Sequence, residues 1–162
     1  MALTTLVNDL YQGQLPKPSH RKVLRDRSTY VDYSKIDLEP LVKARAEEVL
    51  SQGMGVPPEL LWHDLQFINA MVDRIQDRGG RVIFVRLPTT GFVHAVEEAN
   101  FPREKYWNML AATTKASTIN FADYRELSGY TCPEGSHLDS KDSPVFTRAL
   151  ARIIQAKVPG RF

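Results

Sequence analysis

Residues 79–88 read GGRVIFVRLP, and this stretch decides the fold. Within it, residues 81–88 form a run of β-branched and aromatic side chains with no polar–apolar alternation, the pattern of a strand covered on both faces in a parallel sheet. Just upstream, Leu61, Leu65, Ile68, Met71, Val72 and Ile75 recur at helical spacing from Pro58 onward, and Gly79-Gly80 supplies the stop. Helix, double glycine and buried strand together predict an α/β domain.

Working toward the N-terminus, Leu38, Leu41, Val42, Ala46, Val49 and Leu50 predict another helix from Asp37, ended by two Gly and two Pro in residues 53–58. Residues 1–36 show no sustained period and read as an arm, with one short extended piece at 28–33. This divides the chain into an arm, 1–36, and an α/β domain, 37–162. Toward the C-terminus, residues 89–101 read as a loop, and a helix is expected from Pro102 along PREKYWNMLAATTKA. STINFADY (117–124) reads as a second strand. Ser143-Pro144 is then expected as N-cap and first residue of a last helix, whose stripe of Phe146, Ala149, Leu150, Ile153 and Ile154 lies against the sheet. Two strands are few, since a sheet averages about five. Either the N-terminal third holds further strands, or the chain is the C-terminal part of a larger domain, or a partner covers the open edge.

The bulk composition is that of a soluble protein: 162 residues, 43% hydrophobic and 25% charged, enough for one domain. A net charge of +2 is too small to imply a nucleic-acid partner, although Lys17, Arg21, Lys22, Arg25 and Arg27 crowd one segment of the arm. One cysteine, Cys132, allows neither an intrachain disulfide nor a thiolate-rich metal site. His20, His63 and His94 have no ligand spacing, so no metal or other cofactor is expected. Without a secretory leader pattern or a membrane-length apolar run, the expected location is cytoplasmic.

The chemistry concentrates in CPEGSHLDSKDSPVFTR (132–148). Here a carboxylate, Glu134, and an imidazole, His137, stand three residues apart in a Gly-containing loop, the division of labour between orienter and base in hydrolase triads. In open parallel sheets ligands bind beyond the carboxyl ends of the strands. That rule places Arg86, Thr89, Thr90 and Gly91 from the first strand, Asp123 and Tyr124 from the second, and Glu134, Ser136 and His137 on one rim. Arg86, Thr89, Thr90 and Ser136 are accordingly candidate substrate-binding residues. Two of these have a plainer alternative: an ion pair with Asp123 or a neighbouring helix for Arg86, and a turn or cap hydroxyl for Ser136, as for Ser140. Glu134 and His137 can likewise simply satisfy local backbone, and Trp62, Tyr106 and Trp107 can pack rather than line a pocket.

This order of elements, with GGRVIFVRLP, STINFADY and CPEGSHLDS before the last helix, resembles the C-terminal half of the SGNH hydrolase superfamily, the GDSL-like esterases and acetylhydrolases. The family's final block is Asp-x-x-His, and Glu134-Gly-Ser-His137 stands in its place, over a resemblance spanning residues 58–158. It implies a flavodoxin-like three-layer sandwich, here incomplete, with His137 as base and Glu134 as its acidic partner. It also implies a small ester or an acylated carbohydrate as substrate. The chain departs from the family in having Glu for Asp, and in lacking both the Gly-Asp-Ser block of the nucleophile and the Gly-x-Asn-Asp block of the oxyanion hole. Two functions follow as expectations: an ester hydrolase or acyl transferase, or a non-catalytic binding or assembly module whose open sheet edge joins a second copy or another chain.

Overall fold

The computed structural model describes residues 11–12, 21–27, 29–51 and 56–158. Residues 53–55 of the break expected at 53–58, together with Lys17, His20 and Ser28, lie outside the described residues. The chain divides into two compact units, Met1–Ile36 and Asp37–Phe162.

In the first unit, β1 (Arg21–Val23) pairs antiparallel with β2 (Thr29–Val31), Lys22 facing Tyr30. The sequence indicated the second of these as an extended piece, but not the first, whose Arg-Lys-Val has no apolar alternation to show. Arg27, at φ 68°, closes the turn by donating its N–H to Leu24 O. Beyond β2, Asp32 caps a 3-10 turn at Tyr33–Lys35, accepting from the Ser34 amide and ion-pairing with Lys35 at 2.8 Å. The Lys35 ammonium and the Ser34 hydroxyl beside it hold the Asp32 carboxyl down at about 2.

The second unit is mixed α/β. Helix α1 (Glu39–Ser51) precedes α2 (Pro58–Gln76), whose Leu65 and Val72 are each 2% exposed. The double glycine ends α2 for a steric reason. Gly79 adopts φ +80° and Gly80 returns its N–H to Ile75 O, so close that a Cβ on Gly80 would lie 2.6 Å from the Ile75 side chain. The chain then enters β3 (Ile83–Arg86), which pairs in parallel with β4 (Ser117–Asn120) in the register Ile83↔Ser117 to Arg86↔Asn120.

Between the strands lie α3 (Gly91–Asn100) and α4 (Trp107–Thr113). The first corrects the expectation of a loop over 89–101: Phe92, Val93, Ala95, Val96 and Ala99 carry a helical period that Thr-Thr-Gly at the entrance and Asn-Phe-Pro at the exit obscure. Asn69 on α2 donates to Thr113 O and Lys115 pairs with Asp73, so α2 is fastened to the end of α4. The second strand is also shorter than expected. Asn120 accepts the Ala122 N–H and turns residues Phe121–Asp123 into a 3-10 turn, followed by the short α5 (Arg125–Ser128).

Helix α6 (Ser143–Lys157) closes the unit. Its N-cap is Asp142, one residue earlier than expected, because the Ser143 N–H already bonds Asp139 O. The core is Ile119, Leu127 and Phe146, packed by Ile83, Val85, Leu150, Ile153 and Ile154, which sets α6 against one sheet face. Strand alternation points Arg86 to the other face, where Glu97 of α3 meets it. Ile119 is fully buried, so Ile119→Val is expected to lower unfolding free energy by about 0.5–1.5 kcal/mol in urea titrations. A smaller cost would place the core elsewhere.

Candidate active site

The loop after α5 returns to the turn that follows β3. Thr90, four residues beyond β3, donates its N–H to Gly135 O at 2.9 Å, and its hydroxyl both accepts from the Cys132 N–H and donates to Cys132 O, each at 3.0 Å. The Cys132 thiol donates to Pro88 O. Residues 132–135 are thereby attached to the connection leaving the carboxyl end of β3. Gly135 makes the close approach possible at φ +104°, since a Cβ there would lie 2.4 Å from the Val93 side chain.

Glu134 and His137 meet on this loop. The Glu134 side chain is 8% exposed and that of His137 68%, with Glu134 Oε1 2.7 Å from His137 Nδ1. Ser136 adds its backbone N–H and its hydroxyl, which lies 3.0 and 3.2 Å from the two carboxylate oxygens and 2.9 Å from Nδ1. An ionised carboxylate can only accept, so the neutral imidazole carries its proton on Nδ1 and leaves Nε2 as a lone-pair base. Burial pushes the Glu134 carboxyl up, but the hydrogen bonds from His137 and Ser136 outweigh it and bring the pKa below the ordinary 4.5. The longer arm of glutamate therefore reaches the ring without loss of the bond.

That depressed carboxyl makes stability pH-dependent. A group whose folded pKa lies below its unfolded value contributes stability above the unfolded value and loses it as pH falls through the folded one. The wild type's stability advantage over Glu134→Gln is thus expected to shrink on acidification below about 4.5. Parallel melting-temperature curves for the two proteins across that window would contradict the assigned hydrogen bonds.

The remaining candidates have internal partners. Arg86 pairs with Glu97 rather than Asp123, which is taken by Arg103 at 2.7 Å. Thr89 is buried and donates to Glu97 at 2.7 Å, with His94 Nδ1 3.3 Å from the same hydroxyl. Ser140 donates to Asp139 in the turn before α6. Trp62 is half exposed, and Tyr106 packs edge-on to Phe101 while donating to Val56 O. Cys132 is buried, and burial pushes its thiol up to about 11, which keeps it protonated at neutral pH. Among the described residues no group of three or more His, Cys, Asp or Glu is placed to hold a metal, and no helix is long and apolar enough to cross a membrane.

Sequence reasoning missed Glu97 and Val93, and with Val93 the steric reason for Gly135. Glu97 falls in the helix read as loop, and the needs of Gly135 arise from Val93, far away in sequence. Beside the loop, Val42, Phe92, Val93, Pro133 and Glu134 line a largely apolar cavity of about 240 Å³. Among the described residues no side-chain hydroxyl bonds His137 Nε2. No protein-family model, curated protein or solved structure matches this chain.

Proposed function

We propose that residues 37–162 form an SGNH-hydrolase-like domain, a three-layer sandwich of the flavodoxin-like kind, that acts on small esters or acylated carbohydrates by hydrolysis or acyl transfer. The observation that carries the reading is the buried Glu134 carboxylate bonded at 2.7 Å to the exposed imidazole of His137, on a loop tied to the carboxyl end of β3. In hydrolysis, His137 Nε2 takes a proton from the attacking hydroxyl or water as the new C–O bond forms at the acyl carbon. It returns that proton to the leaving oxygen as the ester bond breaks. Glu134 stays ionised and stabilises the imidazolium between the two steps. The internally bonded Arg86, Thr89, Thr90 and Ser136 hold the rim in shape.

A second reading has its own observation. The sequence holds no Gly-Asp-Ser block and no described hydroxyl bonds Nε2, as expected of a binding or assembly module that keeps the loop without the covalent step. Among the described residues β3 pairs only with β4, so a homodimer or another chain adding to the sheet belongs to this reading. A cytoplasmic setting goes with either, given a lone buried thiol. Turnover of short-chain p-nitrophenyl esters by the intact chain, and its dependence on His137, decides between them: no turnover by wild-type protein favours the module.

A further inference from the structure

We propose that Thr90 is the positioning residue that keeps the Glu134–His137 pair assembled, an inference that rests on the catalytic reading of that pair. A single threonine supplies three hydrogen bonds to a loop 42 residues away: two through its hydroxyl to the Cys132 N–H and C=O, and one from its own N–H to Gly135 O. Cys132 and Gly135 bracket Glu134, so both ends of the peptide segment bearing the carboxylate are fixed to one point on the β3–α3 connection. The hydroxyl uses its one proton and one of its two lone pairs at Cys132, and Thr90, the N-cap residue of α3, makes no side-chain cap bond to that helix.

The arrangement has a physical consequence. Glu134 reaches His137 through a three-bond side chain on a loop with no regular backbone ladder, and the order of that side chain is inherited from the backbone on either side. The Gly135 N–H bond to Cys132 O closes the loop internally, and among the described residues the Thr90 bonds and the weaker Cys132 thiol bond to Pro88 O tie it to the β3–α3 connection. Removing the hydroxyl while keeping the volume lets residues 132–135 drift relative to α3. The Nδ1–carboxylate bond then exchanges with solvent, and the ring samples both tautomers.

The test compares wild type, Thr90→Val and Thr90→Ser by 15N-detected NMR of the histidine rings and by amide hydrogen exchange, with His137→Gln assigning the His137 ring. Neither readout needs substrate. In wild type the His137 ring is expected in the Nδ1–H form, with the Cys132 and Thr90 amides protected. In Thr90→Val the two ring nitrogens move toward averaged shifts and Cys132 exchange accelerates roughly tenfold or more. Thr90→Ser keeps the oxygen and restores the wild-type signature. Retention of the Nδ1–H form in Thr90→Val overturns the proposal, as does failure of serine to rescue, which would assign the effect to the threonine methyl. Should Thr90→Val not fold, wild-type amides of Cys132 and Thr90 exchanging like open loop amides would overturn it alone. A protected loop and an ordered ring in a protein that turns over no ester would leave Thr90 in its role and remove the hydrolase reading instead.

Discussion

His137→Ala is expected to lower the turnover of short p-nitrophenyl esters by roughly 10²–10⁴-fold, the range supplied by a positioned general base. The expectation follows from where the two ring nitrogens lie. Nδ1 is occupied by a buried carboxylate, which fixes the ring plane and stabilises the charge acquired on protonation, while the exposed edge presents Nε2. Alanine removes the proton acceptor and leaves the rest of the loop's bonds in place, because none of the Thr90 contacts passes through the imidazole. Glu134→Gln should fall short of that loss, since an amide can still hold the ring but neither enforces the Nδ1–H tautomer nor balances the imidazolium. The double variant should be no slower than His137→Ala alone, because the acid acts only through the histidine. Rates for His137→Ala within about threefold of wild type would exclude this imidazole as the base.

How much of this was legible in the sequence depends on whether the cause is local. The strand at 83–86, half-buried along its length, was visible from its consecutive Ile, Phe and Val, and α2 and α6 because a single buried face repeats at helical spacing. Helix α3 was hidden: its first residue is glycine at φ +60°, and its start is set by Thr90 bonding to Cys132 rather than by a cap its own sequence displays. In the site, Glu134 and His137 were readable as a pair because three residues separate them and the loop turns on a glycine between them. The partners that give the pair its geometry were not. Thr90 lies 42 residues from Cys132, so its two hydroxyl bonds leave no periodic trace, and the fate of Arg86 turned on Glu97 in a helix the sequence concealed.

Gly135→Ala is expected to be among the most destabilising single-methyl additions in this chain, lowering unfolding free energy by about 2–5 kcal/mol through two costs that act together. The backbone at φ +104° is a region that side-chain-bearing residues rarely occupy, and the added Cβ would sit 2.4 Å from Val93 Cγ2 and 3.0 Å from Val93 Cβ. Val93 is 2% exposed and held in α3, so it cannot swing aside, and the Gly135 carbonyl is already committed to the Thr90 N–H. Movement of either segment therefore breaks the attachment of the loop on which Glu134 stands. The costs separate in a double-mutant cycle: Val93→Ala should recover the part of the Gly135→Ala loss due to the Val93 Cγ2 clash and none of the backbone part, giving a coupling of roughly 1–3 kcal/mol in denaturant titrations. A Gly135→Ala protein within about 1 kcal/mol of wild type would mean that the loop does not press against α3. The clamp that brings an acid-supported imidazole to the end of β3 would then have no steric basis.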